Sequence, residues 1–335
     1  MTFTILICTR NSASKIREVI NSINNQSSKN DILEIIVVDY NSIDNTLEIA
    51  AKELFKLNIA NYSYSINKSG KSAALEFGLD KAKGDYALIL DDDNILFPDF
   101  IQNTKDILQK NKTIGCLGSQ GIADEKLQYP PWFNKYQSNF AIGLPVQAGE
   151  TDWVWGAASI IKLEAWHLLR SGGFSFQLSP ERTTHNTPIA LGGEDVELAL
   201  AIKLIGYTID YSENIKFIHK FDQKRLNKYF IVSNNRGVVR SIAVHEMYRA
   251  FIYNPDNFFP FYLIWQFRFW KKVLSSFIHT IISFLLLYPK IDRQMNFAIF
   301  IGIISGYKQF SVKAPQIIKS LKKLTQKKFN TINLT

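Results

Sequence analysis

Short Ile- and Val-rich runs alternate with helix-period segments between residues 3 and 90, and this alternation restricts the chain to a layered α/β fold with a mostly parallel sheet. FTILICT (3–9) and LEIIVVD (33–39) have the continuous apolar character of strands covered on both faces, which implies parallel pairing. Between them Ile16, Val19, Ile20 and Ile23 recur at i, i+3, i+4 and i+7 behind Ser12 and Ser14, either of which can cap a helix. Leu47, Ala50, Ala51, Leu54 and Phe55 mark a second helix, residues 61–66 a third strand, Ala73 to Ala82 a third helix, and Tyr86 to Leu90 a fourth strand. In open sheets of this kind ligands bind beyond the carboxyl ends of the strands, so the polar residues there are the candidates for chemistry.

Asp91-Asp92-Asp93 follows directly on the apolar run YALIL. In an extended segment Asp91 and Asp93 point the same way and Asp92 the other, so the outer pair can share one cation. Hard oxygen ligands suit Mg²⁺ or Mn²⁺, and Mg²⁺ sites usually combine one or two carboxylates with substrate phosphates, which implies a phosphorylated substrate. Clustered aspartates also decorate turns and caps, but three after a buried strand repel one another unless neutralised. Thr9-Arg10-Asn11 and Asp39-Tyr40-Asn41-Ser42, at the ends of the first two strands, can read a base and ribose or serve as ordinary turn and cap residues. Lys68-Ser69-Gly70-Lys71 puts two cations before the third helix, whose N-terminus also favours anions. Gly192-Gly193-Glu194-Asp195 opens a later helix. One of its acids is a candidate general base; alternatively both complement the helix dipole, which would lower their pKa values and weaken them as bases.

The charge is uneven. Of the net +9, a large share lies in residues 311–335, which hold Lys313, Lys319, Lys322, Lys323, Lys327 and Lys328 and no acid. No zinc-finger, RNA-binding or basic-zipper motif accompanies them, which argues against nucleic acid. From about Leu226 the texture becomes aromatic and aliphatic, broken by Pro255, Pro260 and Pro289, so a domain boundary is expected between a catalytic unit at 1–225 and a helical region at 226–335. The uncharged stretches Val273 to Tyr288 and Met295 to Tyr307 fall short of the about 17–25 residues a spanning helix needs. Two such helices and a lysine tail suit a segment lying in an anionic headgroup layer, or a bundle packed on the catalytic unit. The cysteines, Cys8 and Cys116, lack metal-ligand spacing and read as core residues of a protein in a reducing compartment. The start MTFTILICTR has no signal-peptide pattern, which makes a cytoplasmic chain, peripheral at the inner face of the cell membrane, the expectation.

ILICTRN, IIVVDYNSIDNT, NKSGKSAALEFG, GDYALILDDDN, WGAAS, GGF, GGEDVELALAIKLIGY and FIHKFDQKRL occur in the order and at about the spacing of family 2 glycosyltransferases of bacterial type. The resemblance runs from Thr4 to about Arg225 and implies the GT-A fold, with inverting, metal-dependent transfer of a hexosyl group from a nucleotide-diphosphate sugar to a hydroxyl of a glycan or lipid-linked acceptor, as in surface polysaccharide synthesis. By position it implies that Thr9, Arg10 and Asp39 line the nucleoside pocket and that Asp91 and Asp93 form the metal-binding DxD pair. It further implies that Asp195 is the base with Glu194 beside it, and that His219 helps hold the Mn²⁺ or Mg²⁺ and the diphosphate. Trp155-Gly156-Ala157 then flanks donor sugar and acceptor, and Lys71 contacts the donor. The chain departs from the pattern at Leu75-Glu76, where the family usually has Arg-Asn. A sugar-phosphate nucleotidyltransferase would need a Gly-rich phosphate loop after the first strand, and a Rossmann dehydrogenase would need G-x-G-x-x-G there; CTRNSASK is neither. A non-catalytic nucleotide-sugar or glycan-binding protein at the membrane is the remaining alternative.

Overall fold

The computed structural model describes residues 1–67, 70–143, 149–178, 192–254 and 260–332. Lys68, Ser69 and Pro255 lie outside the described residues, as do the side chains of Lys327 and Lys328.

The expected β-α alternation forms the first half of the sheet. β1 (Phe3–Thr9), α1 (Ile16–Asn24), β2 (Ile32–Asp39), α2 (Thr46–Leu54), β3 (Ala60–Ser65), α3 (Lys71–Lys81) and β4 (Tyr86–Asp91) follow one another, and β3-β2-β1-β4 pair in parallel. Strand alternation sends Ile5 and Ile7 into one core and Leu6 and Cys8 into another, which is why β1 carries no polar face. Neither Ser12 nor Ser14 caps α1, whose first turn has no side-chain cap. The Ser12 hydroxyl bonds the Asp92 carboxylate instead, and its amide donates to Thr46 Oγ1 at 2.7 Å.

The second half of the sheet is mixed. β5 (Asn94–Leu96), α4 (Phe100–Lys110), β6 (Ile114–Ala123), α5 (Phe133–Tyr136), β7 (Gly149–Glu150), β8 (Ser159–Lys162), α6 (Leu163–Ser171), α7 (Glu194–Leu204) and β9 (Thr208–His219) complete the order β3-β2-β1-β4-β8-β6-β9-β5, with β7 on β9. Only β6 and β9 pair in parallel here, because β8 and β5 return antiparallel to their neighbours. Both cysteines are buried and unpaired.

After Arg225 the named elements are all helices: α8 (Lys228–Val238), α9 (Ile242–Ile252), α10 (Phe261–Leu285), α11 (Lys290–Phe310) and α12 (Ala314–Ile332). One buried cluster runs from Leu6, Ile36 and Ile89 of the sheet through Leu198 and Met247 to Trp265, Phe269, Phe310 and Leu321. The helices therefore extend the core that covers one face of the sheet. Of the two apolar stretches expected as short helices, the first lies in α10, of 25 residues, as far as Leu285 and the second lies wholly within α11, of 21, yet among the described residues no helix is long and apolar enough to cross a membrane.

Candidate active site

β1, β2 and β4 end level with one another, with Thr9 opposite Asp39 and Cys8 opposite Asp91. Thr9 is fully buried, and its hydroxyl donates to Asp92 at 2.6 Å; the exposed Arg10 gives only its amide to the same oxygen, at 3.2 Å. Asp39 accepts the Ser42 amide at 3.2 Å and the Ser42 hydroxyl. Asn11 and Asn41 hold positive φ at these two strand ends, a backbone region asparagine tolerates, so each chain doubles back right after its strand. Three of the expected donor contacts thus stand on one sheet edge, although the Thr9 hydroxyl already serves Asp92.

The aspartate triplet does not remain extended. The chain turns at Asp92 and Asp93 into β5, so alternation no longer puts Asp91 and Asp93 on one side, and the two carboxylates take different partners. Asp91 accepts the Lys71 ammonium from the first turn of α3. Burial opposes the charge on Lys71, but the carboxylates of Asp91 and Glu194 outweigh it and hold the ammonium well above its ordinary range. Asp93 lies against His219 Nε2 at 3.3 Å and Arg225 at 3.6 Å. Burial pushes its carboxyl upward, yet His219, Arg225 and Lys15 together bring it well below the carboxylate range.

Among the described residues no group of three His, Cys, Asp or Glu side chains is close enough to hold a metal, so Asp91, Asp93 and His219 do not form a single ligand cluster. The Asp93–His219 pair does fit a cation. His219 Nδ1 lies 2.6 Å from the Phe140 carbonyl, where it must donate, so Nε2 is the ring nitrogen that faces the Asp93 carboxylate. Two acceptors at that separation need a proton or a cation between them. Asn94, opposite His219 in the ladder and hence on the same face, is fully buried with no hydrogen-bond partner for its amide among the described residues.

The candidate base sits across the sheet end from this pair. Asp195 lies in the first turn of α7 and accepts Gly156 N–H at 2.9 Å and Val196 N–H at 2.8 Å. Gly156 fits closely there, because a Cβ would stand 3.0 Å from Asp195 Cβ. Gly193 is required: its φ is +100°, and a Cβ would meet Ser241 Oγ at 2.5 Å. Burial raises both acids above the ordinary carboxylate range, with each other's charge adding to it for Glu194 and the Gly156 and Val196 amides opposing it for Asp195. The lowering expected from the helix dipole is outweighed by desolvation. Glu194 and Asp195 line one cavity with Lys71, Leu75, Trp155 and Gly156, and its free volume of about 10 Å³ holds about one water. The cavity therefore has room for a single small group and no more. Trp155 stacks edge-on with Trp153, their rings 6.5 Å apart.

The sequence reading missed two supports of α7. Glu197 is fully buried and accepts the amides of Gln177 (2.9 Å) and Leu178 (3.0 Å) and the Tyr248 hydroxyl (3.0 Å), while burial pushes its carboxyl up to about 7. His245 Nε2 lies 2.9 Å from the Gly193 carbonyl, and burial with nearby Arg249 lowers its imidazole to about 3, so it is neutral. At the departure from the family pattern, Leu75 is apolar wall of the cavity, and Glu76 accepts the Phe176 amide at 3.1 Å.

Residues 4–164 match the family model described as Glycosyl transferase family 2. Poly(ribitol-phosphate) beta-N-acetylglucosaminyltransferase TarS of Staphylococcus aureus is 32% identical over 96 residues, covering 29% of this chain and 17% of that protein. An uncharacterized glycosyltransferase of Rickettsia conorii is 36% identical over 126 residues, covering 36% of this chain and 20% of that protein. The chain thus spans about a fifth or less of the length of these relatives. In fold it is similar to the mannosyltransferase PcManGT of Pyrobaculum calidifontis, solved with GDP-Man and Mn²⁺ (TM-score 0.58, 17% identity, 92% of this chain and 87% of that one). The 1–349 fragment of S. aureus TarS is also similar, with a TM-score of 0.52 and 18% identity, covering 92% of each chain. Through residues 4–164 the chain is similar to glycosyl transferase family 2, and its fold is GT-A.

Proposed function

We propose that the chain transfers a sugar from a nucleotide-diphosphate donor to an acceptor hydroxyl with inversion, that residues 1–225 carry the transfer, and that Asp195 is the base. One observation carries this reading: Glu194 and Asp195, from a distant stretch of the sequence, line a cavity with Lys71, which is ion-paired to Asp91 at the tip of β4. Asp195 is pinned by two amides that leave its carboxylate at the cavity wall. It accepts the acceptor hydroxyl's proton as that oxygen attacks the anomeric carbon, and a carboxyl raised by burial is a better base than a solvated one. Gly156 N–H holds it in place, so positioning supplies much of the rate. The Lys71 ammonium, firmly charged, faces the departing diphosphate. A divalent cation bound by Asp93 and His219 would supply further neutralisation of that leaving group. Thr9, Arg10 and Asp39 form the nucleoside end of the same edge, with Thr9 acting through Asp92, and Trp155 is the wall for sugar and acceptor.

The acceptor is a glycan or lipid-linked hydroxyl, and the transfer is carried out at an anionic membrane surface; the basic C-terminal helices support this. Incubation with single nucleotide sugars and Mn²⁺ or Mg²⁺ is expected to release nucleoside diphosphate with one sugar class, to stop on chelation, and to give a product of inverted anomeric configuration by NMR. Undiminished release in excess chelator removes the cation, and retained configuration removes Asp195 as base.

A further inference from the structure

The two long faces of α10 differ. Trp265, Phe269 and Val273 are buried in the core, and the Trp265 indole donates to the Ala243 carbonyl at 2.9 Å, so the helix is firmly docked. On the other side Leu263, Phe267, Trp270, Leu274, Phe277 and Ile281 recur at alternating spacings of four and three, and each is exposed, from 43% for Ile281 to 72% for Phe267. The apolar surface continues beyond the helix through Leu285, Leu286 and Leu287, exposed by 65–79%. Trp270 and Phe277 touch Tyr307 and Phe300 of α11 at one edge of the seam, but most of its apolar surface faces water, and surfaces of this kind mark docking sites.

Charge selects the occupant. Residues 257–335 hold twelve Lys and Arg against one carboxylate, Asp292, so this part exceeds the chain's whole surplus of +9 and the remainder is slightly acidic. Asp292 is itself buried and paired with Lys135 and Tyr136. α10 carries Lys271 and Lys272 and no acid, besides Arg268, which is paired with Glu246 at 2.7 Å. A second copy laid on the seam would bring cations against cations, whereas an anionic lipid layer answers them and takes up the apolar side chains as well.

We propose that the water-facing side of α10, with Leu285–Leu287, is the surface that lies in the headgroup layer of an anionic bilayer, and that the lysine-bearing α12 adds attraction without entering it. This rests on the reading that transfer takes place at a membrane. The test is vesicle flotation of the full chain with phosphatidylcholine alone and with two parts phosphatidylcholine to one part phosphatidylglycerol. The chain is expected to float with the anionic vesicles only. The triple variant Phe267→Ser, Leu274→Ser, Leu285→Ser is expected to lose at least about a hundredfold in partition with an unchanged melting temperature. Anionic vesicles should also shift the tryptophan emission to the blue, and Trp270→Phe, a conservative change, should remove most of that shift. Unchanged partition of the triple variant together with an unchanged shift in Trp270→Phe overturns the assignment to α10 while leaving membrane association standing. Failure of the unaltered chain to float with either vesicle overturns the membrane reading itself. A stable dimer that the triple variant converts to monomer, without vesicle binding, makes the seam an interface between copies and overturns the proposal.

Discussion

At the scale of single residues the account turns on how tightly Asp195 is held. Gly156 donates to it and stands so close that the Cβ of Gly156→Ala would meet Asp195 Cβ at 3.0 Å, so the acid must give way by a few tenths of an ångström. We expect that variant to lose about 3–10-fold in kcat, since a misplacement of about an ångström costs up to about a hundredfold and this one is smaller. The melting temperature should change little. Loss of stability with kcat intact would make Gly156 a packing residue only. Burial holds the Asp195 and Glu194 carboxyls above their ordinary range, and the base works only when ionised. Activity should therefore rise with pH on an acid limb lying above the usual carboxylate value of ~4, read from kcat/KM. A limb at or below that value would mean that the acting base is solvated. Much of this was legible in the sequence, because Asp91, Asp93, Asp195 and His219 each follow a strand or open a helix. What was not legible was their pairing. A turn at Asp92–Asp93 separates two acids that strand alternation would put side by side, and no spacing rule within the triplet announces that turn.

At the scale of elements, α7 is the part whose position decides whether the base reaches the sheet edge. Its acids, Glu194, Asp195 and Glu197, look alike in the string GGEDVE, and only tertiary packing tells them apart. Glu197 is walled in by Tyr248 and by the amides of Gln177 and Leu178, groups contributed by stretches far from it in sequence. Its carboxyl rises from 4.5 to about 7 on folding, chiefly through burial. A carboxyl raised in the folded state gives stability that is fully present below pH 4.5 and is lost as pH climbs through about 7. The loss is on the order of 3 kcal/mol at most. Melting curves across that window should fall for the unaltered chain and stay flatter for Glu197→Gln. Parallel curves for the two would show that Glu197 ionises no differently in the folded protein. β1, β2 and β4 were legible because burial on both faces leaves them almost wholly apolar, whereas β3, polar and largely exposed, was legible from the alternation of elements around it. The antiparallel returns of β5, β7 and β8 were not, since they are two to four residues long and too short for any periodicity to register.

At the scale of the whole molecule, the helical region after Arg225 extends the core on one sheet face. Deleting residues 258–335 removes Trp265, Phe269 and Phe310 from a cluster shared with Leu198 and Met247 and bares their partners. Buried aromatics of this size each cost about 3–5 kcal/mol when lost, so the truncated chain should be insoluble or unfolded by circular dichroism. A folded, soluble 1–257 fragment would show that the two regions are independent. The same convergence governs the catalytic claim, since Asp91 from β4, Lys71 from α3 and Asp195 from α7 meet at one sheet end only in the complete fold. Its most direct test compares Asp195→Asn with the unaltered chain for both nucleotide-sugar affinity, by titration calorimetry, and turnover. The account predicts turnover lowered by at least about a thousandfold with donor affinity changed by less than about threefold, as befits a group that acts on the acceptor proton. Equal losses in affinity and turnover, or turnover that survives the substitution, would contradict it.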